Sequence, residues 1–344
     1  MSSPEPLSRP FGGPGAWRPS DLETDGSWLF ELDGEDLAEL DAAVRSVRAR
    51  GLEAEQFDRE AFLAPRLEAR AGQMVEVLER GRGLVLVRGI DPARYDEPTL
   101  RALYWGIGTH IGVAVSQNAA GEHLAEVTDR GRDYQAVNVR GYTTSAALRF
   151  HCDASDVVGL LCVHHAARGG ESLVASAMTI HDLLLAEHPE HLPPLYRGFH
   201  FDLRGEGGRG DPNEVTDHRV PVFSHHRGIL SCRYNQRTIE DGQRKSGAPL
   251  DEAELAAVRA VGVLAERPDV QFSMRFRPGD IQLLNNHVVL HARTAFEDFP
   301  EPERRRRLLR LWLNLRHGRP LDARFANRLN TGPRGGVAVR PRAA

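Results

Sequence analysis

Residues 149–156 read RFHCDASD, and the apolar run VVGLL follows at 157–161. In an extended strand, residues two apart project to the same face. His151 and Asp153 therefore aim an imidazole and a carboxylate in one direction, while Cys152 faces the other. An HxD pair alone is common by chance and more often makes ordinary polar contacts at a strand end than it binds a metal. The rest of the chain has to supply a third ligand and a scaffold that brings it there.

The 344 residues are 41% apolar, enough for one large core or two modest ones. Forty-four basic and forty-eight acidic side chains leave a formal net charge of -4. That balance argues for a soluble protein and gives nucleic acid or an anionic membrane no reason to bind. The opening MSSPEPLSRPFGG is polar and proline-rich, so no signal peptide is expected. No run approaches the ~18 apolar residues of a membrane span. Cys152, Cys162 and Cys232 form no close CxxC pair and suit a reducing cytoplasm better than a disulfide framework.

Outward from the opening stretch, residues 1–28 read as an extended arm. Leu37, Leu40, Val44 and Val47 recur at helical spacing, with Asp33 or Gly34 opening that helix and Gly51 closing it. A second helix over 66–80 turns Leu67, Met74 and Leu78 toward a core, stops at GRG (81–83), and is followed by the strand LVLVRG. A third helix, 97–106, is expected to end near Gly106 or Gly108. The stretch 116–148 looks like long loops over a site, and helices are predicted at 177–187 and 251–265. From 270, VQFSMRFR alternates with Phe272, Met274 and Phe276 on one face, and IQLLNN, VVLHA and LLRLWLNL complete a series of short strands. This pattern predicts a mostly β protein with α, a β-sandwich or barrel with an outer helical layer. The expected organisation is one catalytic domain over 29–320, with a helical N-terminal part at about 29–110 and a β core at about 80–316. The basic, glycine-containing stretch after 318 reads as mobile, with 321–344 as a C-terminal tail.

A third ligand must come from a separate strand. His291 in VVLHART is the best candidate, because its apolar neighbours imply a strand that anchors it. His287 competes, and strand parity does not decide between them. Two histidines and a carboxylate leave three octahedral positions open, the arrangement suited to non-haem Fe(II); zinc accepts the same set. The discriminating stretch is ERRRRLLRLWL at 303–313. Arg306 and Arg310 are four apart and share a face of a buried strand, where a guanidinium is costly unless an anion meets it. A planar guanidinium clasps a carboxylate through two bonds. An enzyme using 2-oxoglutarate needs that anchor beside its metal, and a zinc hydrolase does not.

FHCDASD, GGES at 169–172 and DIQLLNNHVVLHARTAFEDFPEPERRRRLLRLW at 280–312 together resemble the TauD/TfdA family of Fe(II)- and 2-oxoglutarate-dependent dioxygenases, in particular its clavaminate-synthase-like members. The likeness covers roughly 80–316. It implies a double-stranded β-helix (a cupin-like jelly roll) with flanking helices, and metal ligands at His151, Asp153 and His291. It places Arg306, flanked by Arg305 and Arg307, on the far carboxylate of 2-oxoglutarate, with the Ser172 hydroxyl assisting. Arg310 falls where some members hold a substrate anion. Implied cosubstrates are 2-oxoglutarate and O2, with succinate and CO2 released. The implied reaction is hydroxylation of an unactivated carbon in a small carboxylate or amino acid-derived metabolite. Desaturation or cyclisation would use the same ligands, whereas a carboxylate at Asp153 argues against halogenation. Candidates for the substrate shell are Gln117, Asn118, Arg140 and Tyr142, with Arg233 and Arg310, because several arginines favour an anionic partner. The rival readings are a cupin-like zinc hydrolase or isomerase and a non-enzymatic small-molecule-binding protein.

Overall fold

A computed structural model of the chain describes residues 5–131 and 141–340, with Tyr142 described by its backbone only. Eight strands build the site: β1 (Leu124–Val127), β2 (Leu148–His151), β3 (Val157–His164), β4 (Ser172–Ser176), β5 (Gln271–Met274), β6 (Ile281–Asn285), β7 (Val289–Arg293) and β8 (Arg307–Asn314). In the larger sheet β1, β8, β3 and β6 pair antiparallel in that order, and Leu84–Arg88 extends it beyond β6. In the smaller sheet the order is β2, β7, β4, β5, again antiparallel. Among the described residues no sheet closes on itself.

The two faces of β8 explain the layering. Leu308, Arg310 and Trp312 turn toward a cavity between the sheets. Leu309, Leu311 and Leu313 turn outward into a separate apolar cluster. Three helices cover that outer face: α1 (Gly34–Ala49), α2 (Pro65–Arg80) and α3 (Glu97–Ile111). Their helically spaced Leu40, Val44, Val47, Leu67, Met74 and Leu78 pack with Val85, Val87, Leu161 and Leu283 of the sheet. Burying each such side chain contributes about 1.5–3 kcal/mol. A capping box opens α1: Asp33 accepts from Glu35 and Asp36 N–H, and Asp36 accepts from Asp33 N–H at 3.0 Å. On the other side of the molecule, α4 (Ala177–Glu187), α5 (Gln236–Lys245) and α6 (Glu252–Ala265) enclose the smaller sheet.

Helix α3 does not stop at Gly106 or Gly108 but continues to Ile111. A Cβ at Gly106 would lie 2.4 Å from the Phe62 ring, and one at Gly108 would lie 2.5 Å from Leu311 Cδ1. Both glycines are there for close approach, not termination. The expectation of a mostly β protein is also corrected: helical residues outnumber strand residues, and the fold is mixed α/β. Part of the excess comes from the short helix Leu192–Arg197 and from α5, which is polar on average and has few apolar residues to mark it. The stretch 318–340, read from sequence as mobile, packs against the rest of the chain in the structure. Phe325, Leu329 and Val337 are buried, and Arg328 and Arg334 both pair with Asp156. No helix among the described residues is long and apolar enough to cross a membrane.

Candidate active site

His151 ends β2, His291 sits in the middle of β7, and the two are direct partners across the ladder. Residues opposite one another in an antiparallel pair share a face, so the imidazoles meet, with ring centroids 4.3 Å apart. The chain then leaves β2 and presents Asp153. His151 Nε2 lies 3.9 Å from Asp153 Oδ1, and His291 Nε2 lies 3.8 Å from Asp153 Oδ2. One ligand atom of each residue lies within 4.8 Å of the others. Donors held about 2.1 Å from a common ion stand about 3–4 Å apart, so the three residues fit one metal. His287 is not part of the cluster: its Nε2 meets Asp156 Oδ1 at 3.1 Å in a buried network.

The electrostatics suit a divalent cation. His151 Nδ1 lies 2.8 Å from the Arg149 carbonyl. A carbonyl only accepts, so Nδ1 carries a proton and Nε2 is the nitrogen turned toward Asp153. Burial, reinforced by His151, pushes the His291 pKa down to about 3. Its imidazole is therefore neutral, as a metal ligand must be. Burial raises the Asp153 pKa, but Arg310, His291, His151 and the Trp312 indole outweigh it and hold the carboxyl below its usual range. Trp312 Nε1 donates to Asp153 Oδ2 at 2.9 Å, and Asp153 N–H donates to Asn286 Oδ1 at 3.0 Å. Two imidazoles and an ionised carboxylate are a suitable donor set for Fe(II).

Beside this cluster opens a cavity of about 460 Å³, walled by both sheets. Of the arginines 304–307, only Arg306 reaches it. Arg304 and Arg305 are exposed, and Arg307 pairs with Glu97 on α3. Arg306 keeps the parity of Leu308, Arg310 and Trp312, the inward side chains of β8, so strand alternation turns it inward. Arg306 is 4% exposed, lies over the Phe296 ring at 5.0 Å, and has an Nη1 without a hydrogen-bond partner among the described residues. Burial lowers its pKa. Ser172 lines the same cavity, and its hydroxyl donates to Gln282 Oε1 at 3.1 Å. Gly170 makes room for the guanidinium: its φ is +76°, and a Cβ there would stand 3.1 Å from Arg306 Nε.

Arg310 has partners. It lies 4.0 Å from Asp153 Oδ2 and donates from Nε to Gln117 Oε1 at 2.6 Å. The Gln117 amide in turn donates to the Arg310 carbonyl at 2.8 Å. Gln117 is thus a fully buried brace for Arg310 and does not line the cavity. Asn118 is also outside the cavity wall and donates to Glu122 at 2.6 Å. Arg233 does line it. Arg140 and the Tyr142 side chain lie outside the described residues. Trp312 was not among the sequence candidates; its position two residues beyond Arg310, on the same strand face, was the available signal.

The family model described as "Taurine catabolism dioxygenase TauD, TfdA family" matches residues 43–312. FR-33289 synthase of Streptomyces rubellomurinus (strain ATCC 31215) is 37% identical over 319 residues, covering 92% of this chain and 93% of that protein. An asparagine oxygenase solved with Fe(II), 2S,3S-3-hydroxyasparagine and succinate superposes with a TM-score of 0.64 at 16% identity, covering 83% of this chain and 93% of that one. The non-heme iron oxygenase OrfP, solved with Fe and alpha-ketoglutaric acid, gives a TM-score of 0.59 at 13% identity, covering 90% and 99%. The chain belongs to the TauD/TfdA family of Fe(II)- and 2-oxoglutarate-dependent dioxygenases. Its fold is related to that of the double-stranded β-helix oxygenases, and its chemistry acts on a small substrate.

Proposed function

We propose that this chain hydroxylates an unactivated carbon of a small carboxylate or amino acid-derived metabolite. His151, Asp153 and His291 hold Fe(II), and Arg306 with Ser172 anchors 2-oxoglutarate. One observation carries this reading: a buried Arg306 guanidinium, incompletely hydrogen-bonded among the described residues, shares a cavity with the three metal ligands. An uncompensated cation there is costly, and a carboxylate satisfies it through charge-assisted hydrogen bonds.

When bound, Fe(II) supplies activation of O2 at the expense of the keto acid, which leaves as succinate and CO2. The chain's own groups bind, orient and exclude water. His151 is locked in one tautomer by Arg149, and Trp312 fixes the tilt of the Asp153 carboxylate. Phe276 and Leu308 line the cavity with Arg306 and lower the local dielectric, which strengthens its pairing with an anion. The Ser172 hydroxyl is a second donor on that wall. With a carboxylate at Asp153, the side chain would serve as a metal ligand, which supports hydroxylation over halogenation; desaturation and cyclisation would use the same groups.

The strand orders β1-β8-β3-β6 and β2-β7-β4-β5 support a double-stranded β-helix core within a single catalytic domain over 29–320. Three free, buried cysteines support a cytoplasmic location. The relative named as a synthase supports a biosynthetic role.

The test is anaerobic addition of 2-oxoglutarate to the iron-loaded protein. A metal-to-ligand charge-transfer band is expected, lost in Arg306→Gln while iron stays bound. Absence of the band, together with no succinate on admitting O2, would sink the proposal in favour of a zinc enzyme or a binding protein.

A further inference from the structure

We propose that Arg233 anchors an oxyanion carried by the primary substrate, so that the cavity receives two anions, the cosubstrate at Arg306 and the substrate at Arg233. This rests on the reading above and deepens it by naming the substrate class.

Backbone register sets the position. His151 bridges antiparallel to Asn235, and Cys152 N–H donates to the Tyr234 carbonyl at 2.7 Å. Arg233 lies two residues before Asn235, as Asp153 lies two after His151, and in extended backbone residues two apart project to one face. Both side chains line the cavity. Arg233 thus faces the cavity that holds the candidate metal ligands, on a segment separate from the strand that carries Arg306 and Arg310.

Its charge is unanswered among the described residues. Arg233 is 8% exposed, and its guanidinium lies over the Phe201 ring at 4.7 Å. Nη2 donates to the Arg328 carbonyl at 2.7 Å, whereas Nη1 is buried without a partner. Burial, with the neighbouring Arg328 cation, pulls its pKa down to about 9.

Other buried arginines are treated differently. Arg310 has Asp153 at 4.0 Å, Arg319 has Glu79 at 3.3 Å and Arg328 has Asp156 at 3.3 Å. Arg293 donates to the Thr144 carbonyl at 2.7 Å. Arg306 and Arg233 have no carboxylate within ion-pairing distance among the described residues. The cosubstrate answers Arg306, which leaves Arg233 for the substrate. Its planar N–H edge suits a carboxylate or a tetrahedral oxyanion, and it disfavours cationic substrates.

The experiment uses full-length protein loaded with Fe(II) and saturated with 2-oxoglutarate under anaerobic conditions, with inorganic sulfate as the probe. Sulfate is titrated while the thermal midpoint is followed, since a ligand of the folded state raises it. The wild-type response is expected to saturate. Arg233→Met and Arg233→Gln should lose at least tenfold in sulfate affinity, whereas Arg233→Lys, which keeps the charge, should retain part of the response. The charge-transfer band, expected in every variant, reports that the site is folded.

In a second arm, small carboxylic and sulfonic acids are compared with their neutral methyl esters as triggers of succinate release. The acids should stimulate wild type at least tenfold more than the esters, and Arg233→Met should lose that difference. Equal sulfate affinity in wild type and Arg233→Met, or equal stimulation by acids and esters, overturns the proposal. A missing band in wild type overturns the cosubstrate reading instead. Sulfate binding that depends on Arg233 and not on Arg306 would still uphold the anion post.

Discussion

The Trp312 indole donates to Asp153 Oδ2 at 2.9 Å, tying the carboxylate ligand beyond β2 to the inner face of β8. The carboxylate is therefore oriented by the protein before any metal arrives. Trp312→Phe keeps the ring but deletes the donor. Removing such a supporting hydrogen bond costs about 10–100-fold in metal affinity, and an Fe(II) titration of the variant should show a loss of that size. An unchanged affinity would mean that the ion alone orients Asp153.

Arg306 should differ sharply from its neighbours. Arg306→Gln is expected to weaken 2-oxoglutarate binding by roughly a hundredfold, the scale of a lost charge-assisted bidentate contact in a dry site. Arg305→Gln should change it less than twofold, because that side chain is exposed. Arg307→Gln should behave the same way, because Arg307 is spent on Glu97. Titrating the charge-transfer band with keto acid ranks the three, and any other order contradicts the assignment.

Stability should depend on pH through His287. Burial drives its pKa down to about 4, with the Asp156 contacts opposing. Between pH 6.5 and 4 the unfolded chain takes up a proton that the folded chain refuses, so stability falls across that window as pH falls. Above pH 6.5 this residue adds no pH dependence, and below about 4 its effect levels off. Urea midpoints at pH 7 and pH 5 should therefore converge in His287→Gln relative to wild type. Both proteins carry His291, so its titration cancels in the comparison. Equal pH sensitivity would remove His287 as the source.

Gly106→Ala tests close approach on the outer face. Alanine is favoured in a helix by about 1 kcal/mol over glycine. Here its methyl would sit 2.4 Å from the Phe62 ring, and overpacking costs about 1–3 kcal/mol. Calorimetry should show a lower melting temperature, restored by Phe62→Leu in the same chain. A raised melting temperature in the single variant would show that the ring yields freely.

These cases mark what local reading could reach. The alternation in RFHCD and LLRLWL is a backbone property, so the shared face of His151 and Asp153 and the inward set of Arg310 and Trp312 were legible from short stretches. Arg306 shares the parity of Leu308, Arg310 and Trp312, so its inward turn rather than that of Arg305 or Arg307 follows from the same alternation. His287 and His291 separate only once β7 pairs with β2. Gly106 and Gly108 read as helix ends because the Phe62 and Leu311 side chains that require them are distant in sequence. Helix α5 escaped for a related reason: it offers one large apolar side chain, Ile239, and carries Gly242, where a Cβ would lie 2.3 Å from the His200 carbonyl oxygen. Gln117 reads as a polar loop residue and proves to be a buried brace, because its partner Arg310 arrives from β8.

Asp156 is neutralised by Arg328 and Arg334, with the neutral His287 imidazole adding a hydrogen bond, and the two arginines leave the ribosome after all three candidate metal ligands. A growing chain therefore carries an unbalanced acid close to a half-built cage until residues 328–334 dock. Completing the charge balance behind the candidate metal site therefore falls to a segment that emerges after all three of its ligands.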